Sequence, residues 1–248
     1  SRRHLSRAFD ASLRRLGVDG VDLYQVHAFD ALTPLEETLR CLDDFVAAGR
    51  IHYVGLSNFT GWQVQRAVDT AERLGVSPPV TLQPQYNLLV REIEWEIVPA
   101  CFSNGLGLLP WSPLGGGWLT GKYRRDEAPR GESRLGEEPA RGMEAWEPRN
   151  RQARTWAVVD AVGEVAEARG ASMAQVALAW VAARPAVSSV ILGARTLEQL
   201  EDNLAAADLR LEPAEIDRLD AVSEVPVGDY PYGRLGVEQL HRPIGGGR

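Results

Sequence analysis

Short stretches rich in β-formers begin at residues 21, 51, 80 and 107, and one amphipathic helical pattern separates each from the next. Their spacing of 30, 29 and 27 residues is the length of a strand plus a crossover helix. Antiparallel neighbours can be joined by tight hairpins, whereas a repeat this long returns each strand parallel to the last. A parallel sheet in an α/β protein is therefore expected.

The first periodic segment, Arg3 to Leu16, places Leu5, Phe9, Leu13 and Leu16 on one helical face and stops at Gly17. A strand from Val21 to His27 precedes a helix from Pro34 to Ala48 that closes at Gly49. The unit repeats as a strand from Ile51 to Ser57 and a helix from Gly61 to Leu74, then as a strand from Val80 to Gln85 and a helix from Glu92 to Ser103. Gly107 to Trp111 makes a fourth strand. Residues 113–150 then lose all period and are rich in Gly, Pro, Arg and Glu. They are too long for an ordinary connection and predict a functional loop or lid. Helices follow over Arg151 to Arg169 and Ser172 to Ala183, the second opened by the capping-box pattern Ser172-Met173-Ala174-Gln175. A fifth strand is expected from Val187 to Leu192, a helix from the capping box at Thr196 to about Ala206, and a last helix from Pro213 to Glu224. The tail from Pro226 has turn composition.

One domain over residues 1–248 accommodates all of this, with 44% hydrophobic and 25% charged residues. Acidic residues outnumber basic ones 34 to 27, giving a net charge of −7 without a dominant basic run, so nucleic acid is not the expected partner. No stretch approaches a membrane span and the N-terminal segment does not read as a signal peptide, so neither is expected. Cys41 and Cys101 lie far apart, which supports neither a disulfide framework nor a metal cluster and suits a reducing cytoplasm.

The pattern fits an open flavodoxin-like sheet as well as part of a (β/α)8 barrel, and in both folds function gathers at the C-terminal ends of the strands. Those ends carry His27, Ser57-Asn58, Gln83, Trp111-Ser112 and Gly193-Ala194-Arg195. His27 fits a satisfied core histidine or a group that orients a carbonyl or handles a proton. Ser57 and Asn58 suit a helix N-cap or an amide-bearing ligand, and Gln83 suits a structural hydrogen bond or the same ligand. Trp111 suits the core or a stacking platform. Lys122 follows Gly115-Gly116-Gly117, where backbone amides can approach an anion, although this is not a Walker sequence. Arg195 lies before a helix N-terminus suited to a phosphate monoester, or is an ordinary surface arginine. A Gly-x-Gly-x-x-Gly between strand and helix is missing, so a nucleotide would be held by other means than a Rossmann site.

Together the motifs resemble the aldo-keto reductase superfamily from Ser1 to about Ser223. They are Asp22-Leu23-Tyr24-Gln25-Val26-His27, Gly55-Leu56-Ser57-Asn58-Phe59, Leu82-Gln83-Pro84-Gln85-Tyr86-Asn87, Trp111-Ser112-Pro113-Leu114 with Leu119-Thr120-Gly121-Lys122, and Gly193-Ala194-Arg195-Thr196 with Gln199 and Asn203. The resemblance implies a (β/α)8 TIM barrel that binds NADPH across its strand ends and reduces an aldehyde or ketone, a small-molecule carbonyl substrate. It implies that His27 is the catalytic histidine and that Ser57, Asn58 and Gln83 hold the nicotinamide carboxamide under a stacked Trp111. Ser112, Leu114, Gly116 and Lys122 would line the pyrophosphate. Arg195 would grip the adenosine 2′-phosphate, which favours NADP over NAD, with Gln199 and Asn203 beside the adenine and Gly193 also among the cofactor-binding residues. Phe29 and Trp118 would be walls of a substrate pocket.

The sequence departs from the family at its start. The superfamily's tyrosine, lysine and aspartate belong to the first three βα units, and Ser1 opens in the helix after them. At about thirty residues per unit, roughly ninety residues of the barrel are expected to be missing from a chain with five of eight units. The expectation is an incomplete reductase, inactive by itself. The alternatives are a non-catalytic NADP-binding regulatory subunit of the same fold and an unrelated open-sheet protein that binds a phosphorylated ligand.

Overall fold

A computed structural model describes residues 1–131, 133–140, 142–233 and 236 of the chain. Residues 132 and 141 of the long loop, and the tail at 234, 235 and 237–248, lie outside the described residues. The chain opens with α1 (Arg2–Leu16), β1 (Val21–Val26), α2 (Leu35–Ala47), β2 (Ile51–Ser57), α3 (Gly61–Leu74) and β3 (Pro79–Gln83). A 3-10 turn at Glu92–Glu94 precedes α4 (Ile97–Ser103) and β4 (Gly107–Leu108). The expected helix from Glu92 is thus broken in two. Pro99 sits in the first turn of α4, where its missing N–H costs nothing, but its ring bars a helix from running through Trp95.

The four strands are parallel and pair in the order β1-β2-β3-β4. A doubly wound sheet must reverse its strand order somewhere, and this one does not. With right-handed crossovers, an order that only advances puts every helix on the same face. Leu56, Leu82 and Leu108 bury that face against Val64, Ala67, Val68 and Ala71 of α3 and Cys101 of α4. A smaller cluster joins Phe9 and Leu13 of α1 to Leu42 and Phe45 of α2 and to Ile51 and Val54 of β2. On the opposite face Tyr53 is 56% exposed. The arrangement is that of a (β/α)8-type barrel wall, and closure of the barrel is not seen among the described residues.

One level of the inner face shows the barrel rule directly. Gln25 lies in register with Gly55, Gly55 with Thr81, and Thr81 with Gly107. A Cβ on Gly55 would stand 2.5 Å from Thr81 Oγ1 and 2.8 Å from Gln25 Cγ, and one on Gly107 would stand 2.2 Å from Ser188 Oγ. Side chains at this level come from alternate strands, as layers inside such barrels do, and the strands between must be glycine. Alanine in place of a strand glycine ordinarily stabilises. Here Gly55→Ala is expected to lower the unfolding free energy by about 1–3 kcal/mol through overpacking, measured by urea titration, and Thr81→Gly should restore part of it.

The expected fifth strand is an extended segment with a single parallel bridge, Leu108 to Val187. Ser188 N donates to Leu108 O at 2.9 Å and Ile191 N to Pro110 O at 3.0 Å, so the segment does run beside β4. The ladder stays short because Pro110 has no N–H to offer and Ala186 enters at φ 68.

Residues 113–150 contain more structure than their composition predicts. A 3-10 segment (Gly115–Thr120) is followed by α5 (Arg134–Glu137), another 3-10 turn (Gly142–Glu144) and α6 (Trp146–Asn150). Each piece is too short to display a 3.6-residue period. The chain ends with α7 (Ala153–Arg169), α8 (Met173–Ala182), α9 (Leu197–Ala205) and α10 (Pro213–Ser223). Ser172 and Gln175 form the expected reciprocal cap of α8. At α9 only half of the expected box forms: Gln199 N donates to Thr196 Oγ1, while Gln199 Oε1 turns to the Arg195 amide at 2.9 Å.

Candidate active site

Parallel strands deliver their C-terminal ends to one edge, and the polar residues there are tied to each other. Ser57 Oγ donates to the Gln83 carbonyl at 2.8 Å, and the Asn58 amide donates to the same oxygen at 3.2 Å. Asn58 takes φ 55, a left-handed conformation that asparagine tolerates. Its Nδ2 donates to the His27 carbonyl at 3.0 Å, and its Oδ1 accepts from Trp111 Nε1 at 3.1 Å. Asn58 thereby bridges the end of β1 to the segment after β4. Ser112, also left-handed at φ 54, is anchored where its carbonyl accepts from the buried Asn87 at 2.9 Å.

Beside this rim lies a cavity of about 670 Å³ lined by Trp111, Ser112, Leu114, Gly116, Lys122, Gly193, Arg195, Gln199 and Asn203, with Arg134, Ser172 and Asp202 among others. Gly115, Gly116 and Gly117 all have positive φ, at 56, 66 and 98. This turn is open to glycine alone. A Cβ on Gly117 would also lie 2.4 Å from Lys122 Nζ. Within the turn the Gly115 and Gly117 amides donate to the carbonyls of Ser112 and Leu114 at 2.9 and 3.0 Å, so the Gly116 amide is the one of the three that can meet an anion. Burial, then the charges of Arg195 and Arg134, hold the Lys122 pKa below that of an ordinary lysine. Three cations converge on this cavity.

At its far side the Gly193 carbonyl accepts from Asn203 Nδ2 at 3.3 Å. The Arg195 guanidinium makes a two-pronged contact with Glu137 of α5, at 2.9 and 2.8 Å. Glu144, 5% exposed, accepts from the Ser112 hydroxyl and pairs with Arg134 at 3.5 Å.

Nine of the twelve residues to which the resemblance gives a cofactor role thus surround one cavity, while Ser57, Asn58, Gln83 and His27 sit at the strand ends joined to it through Trp111. Phe29 packs edge-on against Phe59 and Trp62, with centroids 5.4 and 5.6 Å away, rather than on the cavity. Trp118 is no pocket wall. It is 1% exposed, stacked on Trp146 at 5.0 Å and edge-on to Tyr123 and Trp156, with Nε1 donating to the Glu144 carbonyl. Arg134 and Glu144 are not legible from sequence. They lie in an aperiodic stretch with several arginines and glutamates, and only the burial of Leu135 and Trp146 turns these two inward.

These features define an α/β barrel-type protein with a crevice at its strand ends lined by Lys122, Arg134 and Arg195. The profile of the Aldo/keto reductase family matches residues 1–224, and the chain belongs to that family. It is 36% identical over 94% of its length to versiconal hemiacetal acetate reductase of Aspergillus parasiticus, covering 66% of that protein. It is 38% identical over 90% of its length to a probable voltage-gated potassium channel subunit beta of Oryza sativa subsp. japonica, covering 67% of it. To the uncharacterized oxidoreductase YrpG of Bacillus subtilis it is 35% identical, over 93% of this chain and 65% of that one. The chain spans about two thirds of the length of these relatives. No helix among the described residues is long and apolar enough to cross a membrane.

Proposed function

We propose that the protein is an NADPH-dependent reductase of an aldehyde or ketone. The observation that carries this reading is the convergence of Lys122, Arg134 and Arg195 on a cavity beside a glycine turn that has no room for a side chain at Gly116 or Gly117. Three cations and the Gly116 amide suit the phosphates of a dinucleotide. Ser112, Leu114, Gly116, Lys122 and Arg134 would hold the pyrophosphate and Arg195 the 2′-phosphate, with Gln199 and Asn203 by the adenine. Bound NADPH would supply hydride.

The chain's own residues do the positioning. Ser57 Oγ donates its hydrogen bond to the Gln83 carbonyl, so it offers a carboxamide only its lone pairs. Asn58 has one N–H engaged with the His27 carbonyl and one lone pair engaged with Trp111, and it keeps the others for the ligand. The indole of Trp111, fixed through its own N–H, would cover one face of a nicotinamide ring. The exposed His27 side chain would orient the carbonyl, where donors are needed as negative charge grows on oxygen. A cytoplasmic setting suits the buried free thiols of Cys41 and Cys101.

Quenching of tryptophan fluorescence by NADPH tests the reading. Saturable binding is expected, and it should weaken as pH rises through the depressed pKa of Lys122, because the ammonium that pairs with phosphate is then discharged. A bound phosphate favours the charged form, so binding on the alkaline side should take up protons. Absence of saturable quenching, or an affinity flat up to the ordinary lysine range, would count against it. The likeness to the rice channel subunit favours a second reading, a non-catalytic NADP-binding regulatory subunit. Aldehyde turnover by the protein as its host produces it separates the two.

A further inference from the structure

Helix α1 breaks the local rules of charge. It carries five arginines against one aspartate, in a chain of net charge −7. Its first turn holds Arg2, Arg3 and His4 and no acidic residue, although the positive end of the helix dipole favours carboxylates there. Arg3, Arg7 and Arg14 fall within about 40° of arc at 3.6 residues per turn, on the side away from Phe9 and Leu13, which enter the core. All three are exposed. Arg3 and Arg7, four residues apart, stand side by side as like charges, which weakens a helix.

The carboxylates around them are engaged elsewhere. Asp44 pairs with Arg2, and Glu37 accepts from the Arg2 amide. Asp10 pairs with Arg50 at 2.6 Å, Asp43 accepts from the Ser77 amide at 2.9 Å, and Glu36 pairs with Arg73 at 2.8 Å. Asp19 lies past the end of the helix, in a hollow that it shares with Arg14. None of the ion pairs among the described residues includes Arg3, Arg7 or Arg14. Residues that break local rules without a gain inside the fold point to a use outside it.

We propose that the stripe of Arg3, Arg7 and Arg14 docks an acidic segment of a partner protein. The inference is independent of the function proposed above. A rise of 1.5 Å per residue sets Arg3 and Arg14 about 16 Å apart, too far for one phosphate or carboxylate to bridge and equal to about five residues of extended chain. Each guanidinium fork can take a carboxylate on two prongs. The stripe is confined to one helix, and α2 beside it carries four carboxylates against Arg40. Duplex nucleic acid or an anionic bilayer extends past such a stripe and would meet that acidic neighbour within a screening length of about 8 Å. A short acidic segment would not. The apolar side of α1 is spent on the core, which leaves nothing to insert into lipid. The competing account has the arginines serve the helix itself; it suits Arg14, in the last turn, and fails for Arg3 and Arg7.

Fluorescence anisotropy of labelled octaglutamate, titrated with the protein in saturating NADPH to keep the peptide from the cationic cavity, tests the proposal. Saturable binding is expected, weakening as salt is raised. The triple variant Arg3→Gln, Arg7→Gln, Arg14→Gln should bind about tenfold more weakly, the product of three exposed ion pairs. A control triple at exposed arginines of other segments, Arg66→Gln, Arg124→Gln, Arg210→Gln, makes the same change in net charge and should stay within about twofold of wild type. The α1 variant should keep a urea midpoint at or above that of wild type, because the repulsion between Arg3 and Arg7 is gone. No saturable binding by the wild type, an equal loss in both triples, or a lowered midpoint with unchanged peptide affinity overturns the inference. Tighter binding of duplex DNA or phosphatidylserine vesicles than of the peptide through the same three arginines overturns it in favour of those partners.

Discussion

Trp118→Ala is expected to lower the unfolding free energy by about 3–5 kcal/mol, the range for deleting a large buried aromatic. The indole is 1% exposed and lies parallel to Trp146 with an interplanar angle of 9°. It also supports the turn that bends through Gly116 and Gly117 and gives its N–H to the carbonyl of Glu144. Removing it opens a void between the glycine turn and α7, and tertiary structure around residues 115–146 should loosen first. Trp118→Phe keeps an aromatic ring but orphans the carbonyl, at a cost nearer about 1 kcal/mol. Chemical unfolding monitored by the remaining tryptophans gives both numbers. A Trp118 variant of unchanged stability but altered substrate preference would restore the pocket-wall role that the structure denies it.

Arg195→Ala should weaken NADPH binding roughly 10–100-fold while changing NADH binding only slightly, the value of a charge-assisted hydrogen bond that one of the two cofactors makes and the other cannot. Arg195→Lys should fall between, because lysine keeps the charge and loses the fork. Fluorescence titration of each variant with both cofactors measures the ratio. Equal weakening for NADPH and NADH would instead make Arg195 an anchor for α5 through Glu137, with no part in choosing between the cofactors.

What is legible in the sequence follows from how far each signal reaches along the chain. The strand Ile51–Ser57 and the helix Gly61–Leu74 agree with the structure residue for residue, because their periodicity is strong and Gly75 ends the helix within the local pattern. The prolines at 84 and 110 shorten the later strands by withholding ladder donors, an effect whose extent depends on the neighbouring strand. Topology decides between an open sheet and a barrel wall, and no local pattern holds that information. The strand-end residues of the site can be found because a parallel sheet sends all such ends to one edge. Arg134 and Glu144 cannot, since their direction is set by the packing of Leu135 and Trp146. Trp118 misleads for a related reason. A tryptophan in a glycine-rich loop reads alike as wall or as core until Trp146 and Trp156 are seen to enclose it.

The double engagement of Asn58 makes it a tie between two parts of the rim. One end of its amide is fastened to the backbone at His27 and the other to the indole of Trp111, across the width of β2. Any shift in the chain after β1, such as a longer or shorter turn at residues 28–33, would pull on that tie and tilt the indole. The backbone at His27 and the indole of Trp111, to which the proposed function gives the carbonyl and the ring, are therefore coupled through Asn58. Under the proposed function, such a rim would admit new substrates more readily through changes in the outer loops than through movement of either of these two groups.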